Sequence, residues 1–151
     1  MFENEVLKYQ QTFIDNHGVP AVYYAKSKIT VHNLPDSAKR HPQGNIGWIN
    51  YWRVFSGDTR DFVKCSCCGK VLSVHKELKP LHEAFAKYCP GCCEYSYAEG
   101  GHIVVKDVQG MDDGVYITPL CVECNNQFDK DIDINPMSVM VEEVAPIIDK
   151  Q

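Results

Sequence analysis

The chain has no apolar run approaching the ~18 to 20 residues that a membrane-spanning helix needs. Its N-terminal stretch, Met1 to Gln11, carries Glu3, Glu5 and Lys8 where an export signal has a continuous apolar segment. Neither a signal peptide nor membrane attachment is expected, and the compartment expected is the cytoplasm. Excess positive charge is also missing: the formal net charge is -5, which argues against a protein that wraps nucleic acid by bulk attraction. Internal repeats and low-complexity tracts are absent. So is the apolar poverty of a disordered chain, since 44% of the 151 residues are hydrophobic. A globular fold is expected.

Charge is unevenly placed. Residues 1–70 hold nine Lys or Arg against six Asp or Glu, whereas residues 71–151 hold six against fourteen. Lys26, Lys28, Lys39, Arg40, Arg53, Arg60, Lys64 and Lys70 are candidates for a phosphate-touching patch, although a solvated face is the commoner use of such residues.

Apolar spacing through Val6, Tyr9 and Phe13 predicts a first helix, stopped at Asn16-His17-Gly18. Residues 19–25 and 28–32 are rich in Val, Tyr, Ile and Thr and predict two strands, followed by a Pro-containing loop over 33–45. Ile46, Ile49, Trp52 and Phe55, with Trp48, predict a short aromatic helix ending at Ser56-Gly57, and Pro80 opens another over 80–88. A hairpin follows: strand 102–108, turn 109–114 and strand 115–118. A helix is expected after Cys121, involving residues 125–130, and a last strand over 137–144. Residues 1–44 form an N-terminal α/β extension packed on a domain of residues 45–151.

What the chain does have is eight cysteines. In a reducing compartment thiolate–metal chemistry is the better expectation than disulfides. Six of them form three Cys-x-x-Cys pairs: Cys65 with Cys68, Cys89 with Cys92, and Cys121 with Cys124. Two thiolates so spaced can close on one tetrahedral ion at about 2.3 Å. Gly69, Pro90 and Gly91 permit the tight turns. One or two structural zinc ions are expected. Spacing leaves the pairing open: Cys65 and Cys68 can join Cys89 and Cys92 across a short helix. Alternatively Cys89 and Cys92 join Cys121 and Cys124, leaving Cys65 and Cys68 to recruit His75, His82 or Cys93. Cys67 and Cys93 are spare thiols, as readily small buried hydrophobes as ligands.

The segment Gly100 to Asn126, GGHIVVKDVQGMDDGVYITPLCVECNN, resembles the HNH endonuclease motif. The resemblance implies an α+β fold: a small zinc-stabilised treble-clef ββα domain, here with an N-terminal helix and strand extension. It further implies metal-dependent hydrolysis of phosphodiester bonds in DNA or RNA, with His102 as general base and Asn125 as a ligand on the helix. A second divalent ion such as Mg²⁺ would stabilise the charge developing on phosphorus. Gly101 stands where the family carries a ligating Asp or His, and Tyr116 stands at the central Asn position. Asp107, Asp112, Asp113 and Glu123 are the nearby carboxylates able to compensate. The alternative is a catalytically inactive zinc-binding module that engages a protein or nucleic-acid partner, as an inhibitor or accessory factor. An iron–sulfur carrier is a third class that the cysteine spacing admits. His17, His32 and His41 have no constellation around them in the sequence.

Overall fold

The computed structural model describes residues 2–35, 39–44, 46–86, 88, 96–106, 108, 111 and 114–149. Helix α1 runs Phe2–His17, followed by strands β1 (Val22–Tyr24), β2 (Ile29–Asn33) and β3 (Arg40–His41). Helix α2 (Trp48–Ser56) leads to β4 (Phe62–Lys64) and β5 (Val71–Ser73), a 3₁₀ turn at Lys76–Leu78 and helix α3 (Lys79–Ala86). The hairpin strands β6 (Glu99–Val105) and β7 (Val115–Leu120) come next, then the one-turn helix α4 (Val122–Asn125). Strands β8 (Asp131–Ile134), β9 (Val139–Glu142) and β10 (Ile147–Ile148) close the chain.

One six-stranded sheet, ordered β1-β9-β7-β6-β2-β8, organises the molecule, and each of its pairings is antiparallel. The hairpin β6–β7 lies at its centre, with His102 opposite Ile117 and Gly100 opposite Pro119. The expected strands 19–25 and 28–32 are present but do not pair with each other: β1 joins β9, and β2 lies between β6 and β8. Strands from residues 1–44 therefore share a sheet with strands from 45–151.

Helix α2 covers the sheet. Tyr51 and Trp52 are buried, and their polar ends are satisfied by main chain: the Tyr51 hydroxyl donates to Glu142 O at 2.6 Å, and Trp52 Nε1 donates to Val139 O at 2.9 Å. The helix stops as expected at Gly57, which adopts φ 76° and returns its N–H to Arg53 O. Gly100 lets α2 approach. A Cβ there would lie 2.5 Å from Trp48 Cβ and 2.7 Å from Trp48 C, so any side chain would push the helix off the sheet.

One expectation needs correction. After Cys121 the helix is one turn long, and residues 131–134, expected to lie beyond a helix over 125–130, form β8. Asp131 to Ile134 alternates exposed and buried, a period of two that pairs with β2, and this outweighs any helical preference of the polar run before it. Two of the basic residues of the N-terminal half are engaged within the fold. Arg53 is buried in α2, and Arg40 is bound to Glu143.

Candidate functional site

The turn between β4 and β5 is the first cysteine knuckle. Cys65 N donates to Lys70 O and Gly69 N donates to Cys65 O at 2.9 Å, with Gly69 at φ 79° making the reversal. The second pair belongs to α4. Cys121 is its N-cap, and its sulfur accepts from Cys124 N at 3.4 Å. The two pairs meet across the end of the hairpin, where Cys121 N donates to Cys65 Sγ at 3.3 Å. The sulfur atoms of Cys65, Cys68, Cys121 and Cys124 all lie within 4.8 Å of one another and can hold a metal ion. A tetrahedral ion with bonds of about 2.3 Å requires sulfur–sulfur edges of about 3.8 Å, and Cys68 Sγ stands 3.7 Å from Cys121 Sγ.

The pairing is therefore the first pair with the third, which neither of the two pairings weighed from spacing contains. Linear separation conceals it, because the β6–β7 hairpin returns Leu120 to the level of Glu99 and delivers Cys121 to the knuckle. The knuckle is also tied to the hairpin directly. Ser66 N donates to Pro119 O, Ser66 Oγ lies 2.6 Å from Thr118 Oγ1, and Asn135 Nδ2 donates to Cys67 O at 3.0 Å. Cys89, Cys92 and Cys93 lie outside the described residues. His75 is not in the group; it bridges Asp61 and Glu77 at 2.9 and 3.1 Å. His82 is not a member either.

Burial dominates the thiol chemistry. It pushes Cys121 up to about 11 and raises Cys124 further. Cys68 also feels burial, but the Lys70 N–H and the neighbouring thiols outweigh it and hold Cys68 below the ordinary thiol range. Cys67, the spare thiol, sits beside Cys124 and is raised by burial. Burial disfavours the thiolates of Cys121 and Cys124, and a bound cation would offset this by favouring the thiolate form of its ligands.

The second region lies at the same end of the hairpin, beside β6. His102 and Asn125 line one cavity of about 560 Å³, together with Glu99, Lys76, Phe128 and the start of α2. His102 is 1% exposed, and Trp48 meets its ring edge-on at 4.8 Å between centroids. Its Nε2 stands 3.0 Å from Glu143 Oε2, within ion-pair distance but off the line of a hydrogen bond, and Nδ1 has no partner. Glu143 is held from the far side by Arg40, whose Nε lies 3.1 and 3.0 Å from the two carboxylate oxygens and whose Nη2 also bonds Oε1. Burial pushes the Glu143 carboxyl up, yet His102 and Arg40 together bring it below its ordinary value, so the carboxylate is ionised behind the imidazole.

Asn125, also buried, donates through Nδ2 to Glu99, while its Oδ1 has no partner. Leu120 occupies the place of the missing ligand at Gly101. A Cβ on Gly101 would lie 2.3 Å from Leu120 Cδ1 and 3.2 Å from Asn125 Oδ1. Tyr116 is a core residue opposite Ile103. Of the carboxylates named as substitutes, Glu123 is exposed on α4 and does not line the cavity, and Asp107, Asp112 and Asp113 lie outside the described residues. Glu99 is the acid that reaches Asn125. Its place in β6, two residues before Gly101 and so on the same face, was the available signal. Arg40, Trp48 and Glu143 carry no local signal for their roles around His102. No protein-family model, curated protein or solved structure matches the chain.

Proposed function

We propose that the protein is an HNH-like nuclease in which zinc, bound by Cys65, Cys68, Cys121 and Cys124, fixes a hairpin that carries the hydrolytic residues. The observation behind this reading is that His102 and Asn125 line one cavity, with an ionised Glu143 behind the imidazole. A carboxylate at Nε2 favours the tautomer in which Nδ1 is free to accept a proton from water, the arrangement of an oriented general base. Four soft sulfur donors at tetrahedral spacing suit zinc and leave no open position, so this ion is structural.

A second, divalent ion would be held by Asn125 Oδ1, a buried acceptor without a partner, and by the Glu99 carboxylate beside it. Two hard oxygen donors, with water completing the shell, suit Mg²⁺ or Mn²⁺. When bound, such an ion supplies charge stabilisation for the phosphodiester as it is attacked. His102 takes the proton of the attacking water at Nδ1, Glu143 stabilises the resulting imidazolium, and Arg40 keeps Glu143 in place.

A second reading, a zinc-binding module without catalysis that engages a protein or nucleic-acid partner, draws on the near-complete burial of His102 and on Leu120 filling the space beside Gly101. Plasmid nicking in Mg²⁺ or Mn²⁺ separates the two. The nuclease reading expects cleavage that falls by about 10²- to 10⁴-fold in His102→Ala while zinc content is unchanged. Equal activity in that variant, or none in the wild type, favours the silent module.

A further inference from the structure

We propose that the groove along the free edge of β4 docks an extended, acidic peptide segment of a partner protein, which adds to β4 as a further strand. The groove shares no lining residue with the cavity beside His102 and does not depend on the nuclease reading. It encloses about 470 Å³ between β4 and residues 135–139, with the buried Trp52 on its lining.

The first observation is the open edge. Among the described residues β4 pairs with β5 alone. Val74 N donates to Asp61 O and Cys65 N donates to Lys70 O, so residues 61, 63 and 65 are the hydrogen-bonded positions of this antiparallel ribbon. The N–H and C=O groups of Phe62 and Lys64 therefore point away from β5, and no described residue takes them up. Such an edge accepts an added strand. The second observation is apolar. Phe62 is 61% exposed, and Met137, across the groove, is 84% exposed. Ser138 N donates back to Asn135 O at 3.3 Å, closing a turn in which Pro136 is second and Met137 third. Met137 there adopts φ 70°, where glycine is the ordinary residue. A strained backbone that presents an unburied side chain to a groove is of the kind retained for contact with a ligand. Asn135 fixes this wall, since its N–H donates to Ser66 O and its Nδ2 to Cys67 O.

Charge selects the occupant. Asp58, Arg60 and Lys64 are the charged residues on the lining, and Arg60 Nη2 is paired with Asp58 Oδ2 at 2.7 Å. Lys64, exposed on the same face as Phe62, has no carboxylate partner among the described residues. A segment that alternates apolar residues against Phe62 and Met137 with Asp or Glu opposite Lys64 matches this arrangement.

The test is selection of a displayed random dodecapeptide library on the purified full chain, followed by fluorescence anisotropy with the most enriched peptide. Enriched sequences are expected to alternate apolar residues with Asp or Glu. Lys64→Glu should lower the affinity for that peptide about tenfold and shift the selection to Lys or Arg. N-methylation of the peptide amides that bond β4 should also cost at least about tenfold. Met137→Gly separates binding from folding: affinity should fall about tenfold while the melting temperature holds or rises, because glycine adopts positive φ without strain. Metal content should stay unchanged in both variants. No enriched peptide, enrichment without acidic residues, unchanged affinity in Lys64→Glu or Met137→Gly, or equal binding of the N-methylated peptide would each overturn the proposal. Displacement of the peptide by oligothymidine, or self-association that Phe62→Ser abolishes, would assign the groove to nucleic acid or to a second copy and overturn it as well.

Discussion

Two polar sites of opposite kinds lie at one end of the β6–β7 hairpin, where Glu99 pairs with Leu120. Where β7 ends, at Cys121, four sulfurs stand at metal-binding spacing and the surrounding main chain is bonded into the hairpin. At the edge near Glu99 and His102, buried polar atoms are left without partners: Nδ1 of His102 and Oδ1 of Asn125. The first arrangement is closed and suits a scaffold. The second keeps buried polar groups unsatisfied, a cost that folded proteins retain mainly where a ligand completes the set. The four-residue helix α4 links them, since Cys124 serves the first site and Asn125 the second.

The largest expected effect breaks the scaffold. Cys68→Ser or Cys121→Ser should release the bound ion and unfold the hairpin region, because structural zinc supplies on the order of 10 kcal/mol in small metal-dependent folds. Elemental analysis with circular dichroism checks this. Replacing Cys89 and Cys92 together should leave the four-sulfur site loaded. A loss of one equivalent of zinc there together with loss of the Cys65 site would show that the pairs cooperate differently.

Arg40→Ala comes next. It removes the guanidinium from a buried carboxylate and should cost about 3 to 5 kcal/mol in denaturant unfolding. The same network predicts acid sensitivity. Glu143 has its folded-state pKa below its unfolded value, so its contribution is present above the unfolded pKa and is lost as pH falls through the folded one. Stability should therefore decline below about pH 4.5, and Glu143→Gln should flatten that decline. A comparable effect is expected from Gly100→Ala, at about 1 to 3 kcal/mol, because the added methyl meets Trp48 backbone that cannot move without lifting α2.

The smallest effect lies on the surface. His75 between Asp61 and Glu77, and His32 between Asp129 and Asp131, both have raised folded-state pKa values, owing first to hydrogen bonds with Asp61 and Asp131. Their contribution is fully present below the unfolded value of 6.5 and is lost as pH rises through the folded values. Melting temperature should fall by only about a degree or two across that window, since exposed pairs contribute little, and His75→Asn should reduce the slope.

How much of this was legible in the sequence follows from how local each signal is. Helix α2 and its stop at Gly57, and the cysteine pairs at 65 and 121, depend on neighbours within a few residues and appear where patterning placed them, whereas the first hairpin strand, expected over 102–108, runs Glu99–Val105. Which pairs meet depends on the hairpin's return, which spacing alone leaves open. The strand β8 was hidden because four residues of alternation are too short to outweigh the polar run before them. The surroundings of His102 were hidden more completely. Arg40, Trp48 and Glu143 come from three distant segments, and their convergence is a property of the sheet order rather than of any motif. Conversely, Gly101 looked like a missing ligand in the motif, and the structure adds the reason a side chain is unwelcome there: Leu120 fills the space.

The scaffold is the claim on which both sites depend, and zinc-edge X-ray absorption on the purified protein tests it most directly. The account predicts a single shell of four sulfur neighbours at about 2.3 Å, lost in Cys121→Ser. A shell containing histidine nitrogen, or a four-sulfur shell that survives Cys121→Ser unchanged, would contradict it.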